Sequence, residues 1–155
     1  MPKLYMLVGV PGSGKTTWAI EQEWANECAY ISTDRYVEEF AKNMGKTYSE
    51  VFKEVMPECV DYMAGDVVHA REAGQDIIWD QTSTTLHSRL KKLRMLPDYY
   101  AIAVVFKTPN PEELARRLQN RYDTGKIVPD DVVQFMINNW EEPTKEEGFE
   151  EIWYT

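Results

Sequence analysis

A short apolar run, Lys3–Val8, leads straight into Gly9-Val10-Pro11-Gly12-Ser13-Gly14-Lys15-Thr16, and this junction constrains the fold more than any other part of the chain. The octapeptide fits the pattern G-x-x-x-x-G-K-[ST]. Its glycines let the backbone curl until several N–H groups point at one phosphate chain. A helix opening near Gly14 adds the positive end of its dipole. Lys15 is placed to reach the β- and γ-phosphates, and the Thr16 hydroxyl to ligate Mg²⁺. Pro11, Ser13 and Thr17 complete the nucleotide-binding stretch. An apolar strand running into such a loop and then a helix is the opening of an α/β fold.

The remaining segments alternate accordingly. Helices are predicted over residues 14 to about 27, from about 34 to just before Gly45, and from about 49 to 73. In the last, Val60, Met63, Ala64, Val67 and Val68 recur at helical spacing, and Pro57 is expected to kink or split it. Further helices are predicted over 86–95, over 110 to about 121, and after Pro129. Strands are predicted over 29–31, 75–79, 99–106 and 151–154. Ser32 and Thr33 suit a cap before Asp34, and Asn110-Pro111-Glu112-Glu113 has the cap, proline and acids of a helix start. The alternation predicts one domain over 1–155, with a parallel sheet of about five strands flanked by helices on both faces. Ligands of such sheets bind beyond the carboxyl ends of the strands.

With 155 residues, 43% of them hydrophobic, the chain is long enough to bury a core without disulfides or a structural metal. Cys28 and Cys59 show neither metal nor redox spacing. No apolar run reaches the ~20 residues of a membrane span, and the N-terminal run reads as a strand rather than a leader, so the expectation is a cytoplasmic protein without a membrane partner. The net charge of −9 is unevenly spread. Residues 130–155 carry eight acids and one base, whereas residues 84–126 carry nine bases and four acids. Two solvated faces of opposite sign are the plain interpretation; a local positive field for a polyanion is the functional one. GTPase sequences of the N-K-x-D and D-x-x-G kinds are absent. Motors and AAA-type ATPases usually need more chain, and a small kinase fits the length.

Phosphoryl transfer needs a phosphate cradle, a metal, a carboxylate for the incoming hydroxyl and cations for the developing charge. Asp34, just after the second predicted strand, suits either a general base or a helix cap. Asp80, at the end of the third, suits Mg²⁺ through water, acceptor binding or a structural hydrogen bond. Arg116, Arg117, Arg121 and Lys126 lie at the end of a helix and in the segment before Pro129, and residues from about 117 to 129 could close as a lid. Arg121, with Arg117 one turn earlier, is the choice for the phosphates. His69 and His87 stand alone, and the five tryptophans read as core rather than base-stacking platforms.

Most of the chain resembles the kinase domain of phage-type 5′-hydroxyl polynucleotide kinases, and more broadly the zeta-toxin-like P-loop kinases. The resemblance runs through Gly9 to Ala19, through Tyr30-Ile31-Ser32-Thr33-Asp34-Arg35-Tyr36, through Asp80-Gln81-Thr82, and through Leu114 to Arg121 followed by Thr124, Lys126, Val128 and Pro129. It implies ATP as donor, Mg²⁺ as cofactor, Asp34 as general base for the 5′-hydroxyl end of DNA or RNA, and Arg121 as lid arginine beside Arg117. The family carries an acid and an arginine where this chain has Arg35 and Val37; Arg35 is the candidate replacement at the acceptor. Two other functions remain open: a kinase for a sugar, nucleoside or sugar-nucleotide, and a non-catalytic nucleotide-binding protein.

Overall fold

Strand β1 (Lys3–Val8) is buried from Leu4 to Val8, as a central parallel strand must be. Leu4, Met6 and Val8 pack on one face with Met63, Val67, Ala70 and Trp79. Tyr5 and Leu7 pack on the other with Ala19, Ile78 and Phe106. The structure, a computed structural model, describes residues 1–122 and 125–155. Asp123 and Thr124, both within the predicted lid, lie outside the described residues.

After β1 come α1 (Lys15–Glu21), β2 (Ala29–Ile31), α2 (Asp34–Met44), α3 (Tyr48–Glu72), β3 (Ile77–Trp79) and α4 (Leu86–Met95). β4 (Tyr100–Val105), α5 (Pro111–Tyr122), α6 (Asp130–Asn138) and β5 (Glu151–Tyr154) complete the order. The five strands form one parallel sheet in the order β2-β3-β1-β4-β5. The order places the end of β3 directly beside the loop that follows β1, and the end of β2 one strand further out.

Three expectations are corrected. Helix α1 stops at Glu21 because Gln22 is extended; Trp24 then stacks on Tyr5, with ring centroids 4.3 Å apart, ahead of a 3₁₀ turn at Ala25–Glu27. Pro57 does not split α3. It sits on the exposed side, and the core contacts on the opposite side (Val51, Val55, Cys59, Met63, Val67) continue past it. Val60 and Val68 are exposed rather than core.

Two smaller clusters carry the site. Val37 and Ala41 of α2 pack on Val51, Val55 and Cys59 of α3. Val10 of the loop packs on Leu114 and Leu118 of α5 and Val133 of α6. No helix among the described residues is long and apolar enough to cross a membrane.

Candidate phosphate-binding and acceptor site

The loop between β1 and α1 is built around glycines at positions other residues cannot take. Gly12 has φ +82°, and a Cβ there would lie 3.1 Å from Leu114. A Cβ on Gly9 would lie 2.5 Å from Ser13 Oγ. Gly9 N–H donates to the Thr82 carbonyl (2.9 Å), tying the loop to the segment after β3. Lys15 is buried, and its Nζ donates to the Val10 carbonyl across the loop at 2.9 Å. Ser13 Oγ is buried without a hydrogen-bond partner among the described residues, which suits a cradle built for an anion.

Asp80, one residue beyond β3, accepts from Thr16 Oγ1 at 2.8 Å and from the Tyr30 hydroxyl on the same oxygen. A loop hydroxyl and a carboxylate from the neighbouring strand form a hard-oxygen pair of the kind Mg²⁺ takes beside phosphates, so the residues present fit that ion. Burial, reinforced by the Asp80 charge, pushes the Tyr30 hydroxyl well above the ordinary tyrosine range and keeps it a donor. Arg117 and Arg121 line the cleft of about 470 Å³ over the loop, together with Trp18, Phe106 and Thr155. Arg117 donates to the Gly12 carbonyl (3.1 Å) and to Glu113 (2.8 Å).

Asp34, the first residue of α2, is held from two sides. Tyr48 OH donates to Oδ1 at 2.6 Å and Lys126 Nζ to Oδ2 at 3.1 Å. Its N–H donates to Ser32 Oγ at 3.1 Å; Thr33, at the cap position, makes no side-chain cap bond. Burial lowers the Lys15 pKa to about 8; Asp80 opposes that shift, Arg121 adds to it and Asp34 opposes it. Asp80, Arg121 and Asp34 thus all act on the Lys15 ammonium.

Arg35 does not join this group. It donates to Asp66 at 3.0 Å and lies over the Tyr36 ring. Val37 is wholly buried. The basic stretch is also not one surface. Arg89 is buried in a two-bond pair with Glu147 (2.6 and 3.1 Å), and Lys92 is buried on Ser83 and Ser88. The local-field interpretation of residues 84–126 is corrected to that extent. Tyr48 and Glu38 belong to the site but carry no motif, and Tyr30 is not singled out within its motif; their roles come from contacts across 14 to 88 positions of sequence.

Comparison with known proteins agrees with this fold. A curated mouse protein, heterogeneous nuclear ribonucleoprotein U-like protein 2, is 26% identical over 162 residues; the match takes in 98% of this chain, which spans about a fifth (21%) of that protein's length. A Chloroflexus aurantiacus protein described provisionally as a kinase superposes with a TM-score of 0.72 at 17% identity, covering 99% of this chain and 84% of the other. A chain of the Pnkp1/Rnl/Hen1 complex superposes with a TM-score of 0.57 at 27% identity, covering 75% of this chain and 38% of that one. The family described as AAA domain matches residues 4–143. Its name is the one that chain length argued against, while the fold has a single parallel sheet and superposes on that of the Chloroflexus aurantiacus chain. The chain belongs to that AAA domain family.

Proposed function

We propose that this protein is an ATP-dependent kinase that transfers the γ-phosphate to the 5′-hydroxyl end of a nucleic acid, with Asp34 as general base. The observation that carries the proposal is the geometry of the phosphate loop, with Lys15 buried across it at 2.9 Å from the Val10 carbonyl and Thr16 held on Asp80 at 2.8 Å.

The loop N–H groups and Lys15 hold the triphosphate, and Arg117 and Arg121 face its outer side. Thr16 and Asp80 would hold Mg²⁺, which when bound neutralises charge shared between the β- and γ-phosphates. Asp34 takes the proton of the acceptor hydroxyl. The acceptor oxygen forms its bond to the γ-phosphorus as the bond from that phosphorus to the β–γ bridging oxygen breaks, and ADP leaves with the bond's electrons. Arg117 and Arg121, which line this cleft, would serve as the lid arginines.

The nucleic-acid acceptor draws on the Gly9–Ala19, Tyr30–Tyr36 and Asp80–Thr82 motifs and on the likeness to a chain of the Pnkp1/Rnl/Hen1 complex. A small-molecule acceptor is the second reading. It is favoured by the engagement of Arg35 with Asp66, which leaves that arginine committed elsewhere, and by Glu38 beside Asp34.

The test offers labelled ATP and Mg²⁺ to a 5′-hydroxyl oligonucleotide and to a panel of sugars and nucleosides. Label is expected on the oligonucleotide, with a KM that rises with salt as counterion release weakens binding. Label on a small molecule alone would replace the first reading with the second.

A further inference from the structure

Residues 125–127 are seated on the N-terminus of α3 by geometry that owes nothing to the phosphate loop. Thr47 caps α3 in a reciprocal box, with Glu50 N–H on its hydroxyl at 3.3 Å and its own N–H on the Glu50 carboxylate at 2.9 Å. The box fixes Thr47 as a wall. Gly125 lies against that wall, and a Cβ on it would be 2.7 Å from Thr47 Cβ, at a φ of +77°. The Ser49 N–H, an otherwise orphaned donor of the first helical turn, reaches the Gly125 carbonyl at 3.2 Å. Ile127 N–H donates to Ser49 Oγ at 2.7 Å.

This seating delivers Lys126 into a cage. Its ammonium lies 3.1 Å from Asp34 Oδ2, 3.3 Å from Glu38 Oε1 and 4.6 Å from the centre of the Tyr48 ring. The Tyr48 hydroxyl is at the same time on the other oxygen of Asp34. Two carboxylates and an aromatic face are what an ammonium seeks, and here the ammonium is carried by the segment after α5, the helix that bears Arg117 and Arg121.

We infer that Lys126 and Tyr48 are positioning residues that orient Asp34 only while residues 125–127 are latched on Thr47 and Ser49, so that closure over the nucleotide and readiness of the acceptor side are one event. The inference rests on Asp34 acting as the general base. Lys126 touches the carboxylate rather than the reacting atoms. Opening the latch frees Asp34 Oδ2 and leaves Tyr48 on the other carboxylate oxygen. A misplaced base loses rate in the chemical step without loss of nucleotide affinity.

Two variants test the latch by different routes. Lys126→Met removes the ammonium and keeps the length of the side chain; Gly125→Ala keeps the ammonium but blocks its seat. Each is expected to lower kcat for phosphoryl transfer about 10- to 100-fold while the affinity for ADP, measured by calorimetry, stays at the wild-type value. In an Asp34→Asn background, adding Lys126→Met is expected to cost nothing more, because both act through one carboxylate. Wild-type kcat in Lys126→Met and Gly125→Ala, with Asp34→Asn inactive, would overturn the latch and leave the general base standing. Full activity in Asp34→Asn would instead remove the proposed function itself. A further loss on adding Lys126→Met to Asp34→Asn would also overturn the inference, since it would give the lysine a role independent of the base.

Discussion

Lys15 carries a charge inside the loop before any phosphate arrives, and burial drives its pKa down to about 8. This makes a prediction with a definite sign. The folded value lies below the ~10.4 of an unperturbed lysine, so between about pH 8 and pH 10.4 the unfolded chain binds the extra proton and the stability of the ligand-free fold rises with pH. Triphosphate binding runs the other way, because it needs the ammonium. ATP affinity is expected to fall about tenfold from pH 7 to pH 9 as one charge is lost, and calorimetry across that range measures it. Lys15→Met should bind weakly at pH 7 and show no such slope. The placement of Lys15 in the loop was legible because its motif fixes a backbone shape and a side-chain length together. Tyr48 was not: it is an ordinary helix-start tyrosine until the fold brings its hydroxyl to Asp34. Nor was the commitment of Arg35 to Asp66, which depends on how α3 crosses α2.

Among the elements, α4 departs most from what its sequence suggests. Residues 86–95 read as an amphipathic basic helix, and the boundaries hold, but Arg89 and Lys92 point inward. Arg89 joins α4 to the 3₁₀ turn Lys145–Glu147 and also donates to the Ser83 carbonyl at 3.0 Å. Lys92 donates to the Ser83 side chain. Together they clamp the segment after β3 whose Thr82 carbonyl meets the phosphate loop. Periodicity could not separate these two cations from Lys91 and Arg94, because an inward arginine is betrayed only by a distant carboxylate. Removing that carboxylate leaves a wholly buried guanidinium unpaired. Glu147→Ala is therefore expected to cost about 3–5 kcal/mol of stability, measured by urea unfolding, whereas Glu113→Ala, whose partners Arg116 and Arg117 are solvated, should leave the urea midpoint near the wild-type value. The strands were legible as elements because all five are short and flanked by turn residues. The end of α1 was not, since it is set by the packing of Trp24 on Tyr5.

For the whole molecule, the parallel order β2-β3-β1-β4-β5 does most of the functional placement. It brings Thr16 to Asp80 at 2.8 Å across 64 positions of sequence and sets Asp34 on the same rim, an arrangement the strand–helix alternation predicted in outline. The charge map was less legible, because linear counting cannot see that Arg89 and Lys92 are interior and that Lys126 is shared by two carboxylates. Every functional assignment depends on Asp34 accepting a proton at a loaded phosphate loop. The most direct test is single-turnover transfer of labelled phosphate from ATP·Mg²⁺ by wild-type protein and by Asp34→Asn, with nucleotide affinity measured on both. The account predicts equal affinity and a rate about 10²- to 10⁴-fold lower in the variant; equal rates would contradict it.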